Sequence, residues 1–194
     1  DTSPRGRACI GGLLEVHGST IGHGDLTVPG AIRGGSGTLL GNVSIQAGGT
    51  LAPGDSIGTL NIIGSLTLAG TNEMQLSKSG STLTNDMITG ISSLTLGGTL
   101  MLDISGDALA AGDQFQLYSA TFIVPGSFTD IEPAQPGAGL VWDTSAMASQ
   151  GILKVAGTTS GAPAIGGVSV AGGNMMFTVT GGTAGATLQV LSST

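Results

Sequence analysis

The stretch Gly48-Gly49-Thr50-Leu51-Ala52-Pro53-Gly54-Asp55-Ser56-Ile57-Gly58-Thr59-Leu60, continued by Asn61-Ile62-Ile63-Gly64-Ser65-Leu66-Thr67-Leu68, decides the fold class. In Thr59-Leu60-Asn61-Ile62 and Ser65-Leu66-Thr67-Leu68 every second residue is apolar, the period of a half-buried strand, and the intervening glycines allow sharp corners. The corners recur too quickly for a helix to fit between them. This excludes folds with crossover helices and leaves a coil of short parallel strands or a sandwich.

Outward from this stretch the same phrase repeats. Gly37-Thr38-Leu39-Leu40, Gly49-Thr50-Leu51, Gly58-Thr59-Leu60, Gly64-Ser65-Leu66-Thr67-Leu68 and Gly98-Thr99-Leu100-Met101-Leu102 are variations on Gly-Thr-Leu. A unit this short cannot bury its apolar face alone, so the units stack, and the chain reads as an all-β solenoid. At ~20 residues per turn and a strand spacing of ~4.8 Å, about 150 residues predict roughly seven turns in a rod ~35 Å long.

The solenoid is expected over residues 1–157, with 1–33 as lead-in and first turns. Leu13-Leu14-Glu15-Val16 and Asp25-Leu26-Thr27-Val28 are its first plausible strands. Residues 106–157, with the phrases Gly112–Ser119, Gly126–Ile131, Gly139–Ser145 and Gly151–Val155, hold nearly all the aromatic rings of the chain and read as wider, atypical closing turns. Residues 158–166 read as a linker. Residues 167–194 read as an incomplete, short antiparallel β-module of three strands with Gly-Gly turns, too few for an independent sandwich.

Composition agrees with a thin apolar interior. Of 194 residues 36 are Gly, 40% are hydrophobic, 9% are charged and 3% are aromatic, so the chain folds, and its core is built from Leu, Ile, Val and Ala. The net charge of −7 and only five basic residues, Arg5, Arg7, Arg33, Lys78 and Lys154, exclude a nucleic-acid partner. No run of 18 apolar residues predicts a transmembrane helix. Cys9 is the single cysteine, which excludes an intramolecular disulfide.

The phrase Gly49–Leu60 resembles the autotransporter passenger-associated β-strand repeat of exported bacterial proteins, and the block from Gly112 through Trp142-Asp143-Thr144-Ser145 to Val155 looks like what commonly follows that repeat. The resemblance spans residues 34–157. It implies a right-handed parallel β-helix, export to the cell surface or beyond, and a scaffold or stalk role. The long alternation and aromatic girdles of an outer-membrane barrel are lacking.

Motifs that carry chemistry each meet a structural alternative. Gly54-Asp55-Ser56-Ile57-Gly58 satisfies the nucleophile-elbow pattern, but that motif requires a following helix, and here a strand pattern follows. His17 and His23 would need Glu15 and Asp25 to complete a metal site, and they read instead as turn residues facing solvent. Asp130 and Glu132 are the only local carboxylate pair on one strand face, too little for glycan cleavage. Thr178-Val179-Thr180 is an isolated Thr-X-Thr, so ice binding, which needs that motif turn after turn, is set aside. The expectation is a protein that is not an enzyme, with no catalytic residue, no metal and no cofactor.

The functional expectation is an extracellular structural protein that self-associates as a homo-oligomer or polymer, as a fibre subunit joined by end-to-end strand pairing. The junction residues are Leu13, Leu14 and Val16 on the first strand and Leu188, Val190 and Leu191 on the last. The alternative is a cell-surface adhesin or carbohydrate-binding stalk with a surface polysaccharide as partner, for which Trp142 and Tyr118 are the only Trp and Tyr side chains available for sugar stacking.

Overall fold

A computed structural model describes residues 6–9, 11–15, 21–33, 37–158, 164–172 and 174–180. The chain divides into two compact units, Asp1–Ala156 and Gly157–Thr194.

The first unit is a parallel β-solenoid with six rungs among the described residues, each made of one strand from each of two sheets. In chain order these are β1 (Gly6–Cys9) with β2 (Leu13–Glu15), then β3 (Ile21–Val28) with β4 (Ala31–Arg33). The third rung joins β5 (Thr38–Leu40) and β6 (Val43–Ile45) to β7 (Thr50–Ala52), and the fourth joins β8 (Thr59–Leu68) to β9 (Thr71–Ser79). A hairpin strand, β10 (Thr82–Asn85), precedes the fifth rung of β11 (Met87–Thr95) and β12 (Thr99–Gly106). A cap strand, β13 (Gln114–Gln116), precedes the sixth rung of β14 (Tyr118–Val124) and β15 (Asp130–Glu132). Sheet A stacks β1, β3, β5 and β6, β8, β11 and β14, all parallel. Sheet B stacks β2, β4, β7, β9, β12 and β15, also parallel, with β10 antiparallel beside β9.

One inward column of sheet B, Leu14–Ile32–Leu51–Asn72–Leu100–Ile131, follows the winding through all six rungs. Its steps are 18, 19, 21, 28 and 31 residues. Against the roughly seven turns expected, the described residues form six, because the last two are lengthened by the β9–β10 hairpin and by cap residues. The core between the sheets is almost wholly aliphatic: Val28, Ile32, Ile45, Leu51, Leu60, Ile62, Leu66, Leu76 and Leu94 are buried. Residues 6–9, expected as lead-in, already form a rung, with Gly6–Cys9 in register with Gly24–Thr27.

Residues 106–157 depart from the expectation of successive wider turns. They supply one rung and then a cap of different build. Strand β13 pairs antiparallel with β17 (Ile152–Gly157), and β16 (Leu140–Asp143) completes a three-stranded sheet. A one-turn helix, α1 (Met147–Gln150), stops at Gly151, whose φ of 70° is left-handed. The cap closes over the aromatic part of the core: Phe115, Tyr118 and Phe128 are buried, and the Tyr118 and Phe128 rings lie 6.2 Å apart. Lys78 Nζ donates to Asp113 Oδ2 at 2.7 Å and ties this cap to β9; burial of the Asp113 carboxyl is outweighed by bonds from Lys78 and the Ala110 N–H, which lower its pKa.

In the second unit β18 (Ala164–Ala171) and β19 (Asn174–Thr180) form an antiparallel pair. Strand β18 begins inside the stretch 158–166 that composition assigns to a linker. The third expected strand, at 186–191, lies outside the described residues.

Candidate functional site

The Pro53–Gly58 corner is held by a residue outside it. Asp86 is 1% exposed; its Oδ1 accepts from the Gly58 N–H and its Oδ2 from the Gln75 N–H, both at 2.8 Å. Burial raises its carboxyl pKa above the ordinary range, the two N–H bonds pull the other way, and the charge of Asp103 adds to the rise. One carboxyl group thereby fastens the Pro53–Gly58 corner to β9. The corner runs between β7 and β8, strand to strand, so Ser56 is a turn residue, and the elbow geometry of a hydrolase is not formed.

Two open grooves flank this framework. The first, about 330 Å³ on the outer face of sheet B, is lined by Arg33, Pro53, Glu73, Gln75, Asp86 and Asp103 among others. Its rim is the in-register column that begins Glu15–Arg33–Ala52 and ends Glu73–Met101–Glu132. Arg33 reaches past the short Ala52 to Glu73 at 3.4 Å, a solvent-screened pair that contributes little to stability. Sequence reading missed this assembly because its carboxylates are spread from Glu15 to Asp103 and meet only through stacking. Among the described residues no group of three or more His, Cys, Asp or Glu side chains is placed to hold a metal ion. Asp130 and Glu132 both lie exposed on β15, and Asp130 Oδ1 accepts from the Ile131 N–H at 2.8 Å.

The second groove, about 400 Å³, crosses three rungs of sheet A and is lined by Gly24, Asp25, Leu40, Gly41, Asn42, Ile63 and Gly64. Its floor is bare backbone for a steric reason. A Cβ on Gly64 would lie 2.1 Å from the Gly41 carbonyl oxygen, and one on Gly41, at φ 120°, would lie 2.1 Å from that of Gly24. One wall is polar: Asn42 Nδ2 donates to Asp25 Oδ1 at 2.9 Å, and Asn42 Oδ1 accepts from the Ser65 N–H and hydroxyl at 2.9 and 2.8 Å. The other wall is apolar: Leu40 and Ile63 are in register on adjacent rungs, and Ile63 is 52% exposed.

Beside that groove runs the column Thr27–Ser44–Thr67–Thr95, a hydroxyl ladder invisible in sequence because its steps are unequal. The parallel column at Asp25, Asn42, Ser65 and Ser93 carries hydroxyls in only two of four rungs, so a Thr-X-Thr array is not completed.

Of the residues expected at a binding face, Tyr118 is fully buried and offers no ring for sugar stacking, a correction to the sequence reading. Trp142 is half-buried on the cap, with its Nε1 donating to the Pro133 carbonyl at 2.8 Å. Leu13 is 57% exposed, and Leu14 is partly buried against the core at the first end of the solenoid. Val16, Leu188, Val190, Leu191 and His17 lie outside the described residues, and His23 sits on β3. No protein-family model matches the chain, and no curated protein matches its sequence.

Proposed function

We propose that this chain is a non-enzymatic extracellular structural protein, a β-solenoid that joins other copies end to end through its first rung. The observation that carries this reading is the asymmetry of the two ends of the solenoid unit. At the last rung, Leu109, Phe115, Phe128, Met147 and Leu153 extend the core into a closed cap. At the first, among the described residues, the core column has the partly buried Leu14 as its outermost member beside the exposed Leu13, and β2 pairs only with β4. An end strand offers a row of backbone donors and acceptors to another strand, and the apolar column behind it gains from being covered. A fibre requires a second junction. The C-terminal residues Leu188, Val190 and Leu191 are the proposed second contact. Location outside the cell is supported by the resemblance of Gly49–Leu60 to autotransporter passenger repeats.

Negative-stain imaging of the full chain tests this reading: end-joined particles or filaments are expected, reduced to single particles by Leu14→Asp. Single particles for the wild type at every concentration would refute it.

A second reading, a carbohydrate-binding stalk or adhesin, is favoured by the sheet A groove, with its one polar and one apolar wall.

A further inference from the structure

We infer that the sheet A groove is a binding site for a linear neutral glycan lying along the stacking direction; this rests on the second reading above and gives it a place and a ligand class. A groove of about 400 Å³ lies within the size range of small-ligand sites, which combine apolar lining with a few fixed polar groups.

The three surfaces specify the ligand in turn. The floor admits a close approach to backbone, since Gly41 and Gly64 cannot be replaced by larger residues without striking the carbonyl of the preceding rung. Leu40 and Ile63 offer an apolar strip two rungs long, suited to the C–H face of a pyranose ring. Asp25 and Asn42 face that strip from the other wall. Among the described residues Asp25 Oδ1 takes one bond, from Asn42, and a carboxylate has further acceptor capacity for ligand hydroxyls. Walls that repeat at the rung spacing of ~4.8 Å match a ligand that repeats at about the length of one sugar ring.

Two other ligand classes fit less well. An extended peptide would need unpaired backbone at the floor, yet the Gly41 N–H donates to the Ile63 carbonyl and the Leu26 N–H to the Asn42 carbonyl. An acidic glycan would meet Asp25 at the wall and a chain of net charge −7.

Affinity electrophoresis of the full chain through gels containing soluble mixed-linkage β-glucan, xylan, galactomannan or polygalacturonate tests the assignment. Retardation by at least one neutral polymer and none by polygalacturonate is expected. Ile63→Glu should weaken retardation by roughly tenfold or more, and Asp25→Ala should weaken it several-fold. Met101→Lys, on the exposed face of sheet B, should leave it unchanged, with thermal melting confirming that each variant folds. No retardation by any neutral polymer, preference for polygalacturonate, full retention by Ile63→Glu, or an equal loss in Met101→Lys would each overturn the inference. Self-association persisting without glycan retardation removes this site and leaves the structural reading standing.

Discussion

Tyr118 donates its phenolic hydroxyl to Oδ1 of Asn72, and both side chains are wholly buried. Asn72 interrupts a column of Leu and Ile, and its Nδ2 donates to the Leu51 carbonyl at 2.9 Å. The pair therefore links the third, fourth and sixth rungs through the core. Burial holds the Tyr118 hydroxyl protonated, its pKa pushed well above that of a free tyrosine, so it remains a donor.

Tyr118→Phe should destabilise the chain by about 1–3 kcal/mol, because it strands a buried acceptor. Adding Asn72→Leu should recover part but not all of that loss, since it removes the stranded amide oxygen and also takes the Asn72 Nδ2 bond from the Leu51 carbonyl. Urea unfolding of the two single variants and the double variant measures the coupling; strictly additive losses would show that the hydrogen bond contributes nothing.

Asp86 gives a pH dependence with a definite sign. Its folded carboxyl holds its proton to higher pH than the unfolded one, so its contribution is complete below about pH 4 and is lost as pH rises through the folded value. Asp86→Asn cannot accept both the Gly58 and Gln75 N–H groups and should cost about 1–3 kcal/mol on the acid side. The gap between wild type and variant should then narrow as the pH is raised from about 4 through the folded value. Thermal melts across that range check it, and a widening gap would contradict the assignment.

Gly64→Ala should cost several kcal/mol, of order 3 or more, because the new Cβ meets fixed backbone on the neighbouring rung. Gly12→Ala, where a Cβ meets nothing within 4 Å, should be close to neutral. Equal melting points for the two variants would mean that the rungs are not stacked in this register.

Strand character and stacking were legible in Thr59–Leu68, because period-2 alternation depends on nothing outside the segment. The number of rungs was not, since the β9–β10 hairpin and the cap lengthen the last two turns without breaking the alternation on either side. The grooves were still less legible. Asp25, Asn42 and Ser65 are separated by 17 and 23 residues and become neighbours only once the register is fixed. Asp86 was hidden for a similar reason: Asn85-Asp86 reads as one more polar corner, and nothing local indicates that its partners are Gly58 and Gln75.

Hydrogen–deuterium exchange at Leu13–Glu15 as a function of protein concentration tests end-to-end joining most directly. Protection of these β2 amides should rise with concentration in the wild type and stay low in Leu14→Asp, while the amides of β8 and β11 remain unchanged in both. Exchange at Leu13–Glu15 that is the same at every concentration would contradict a first rung that pairs with another copy.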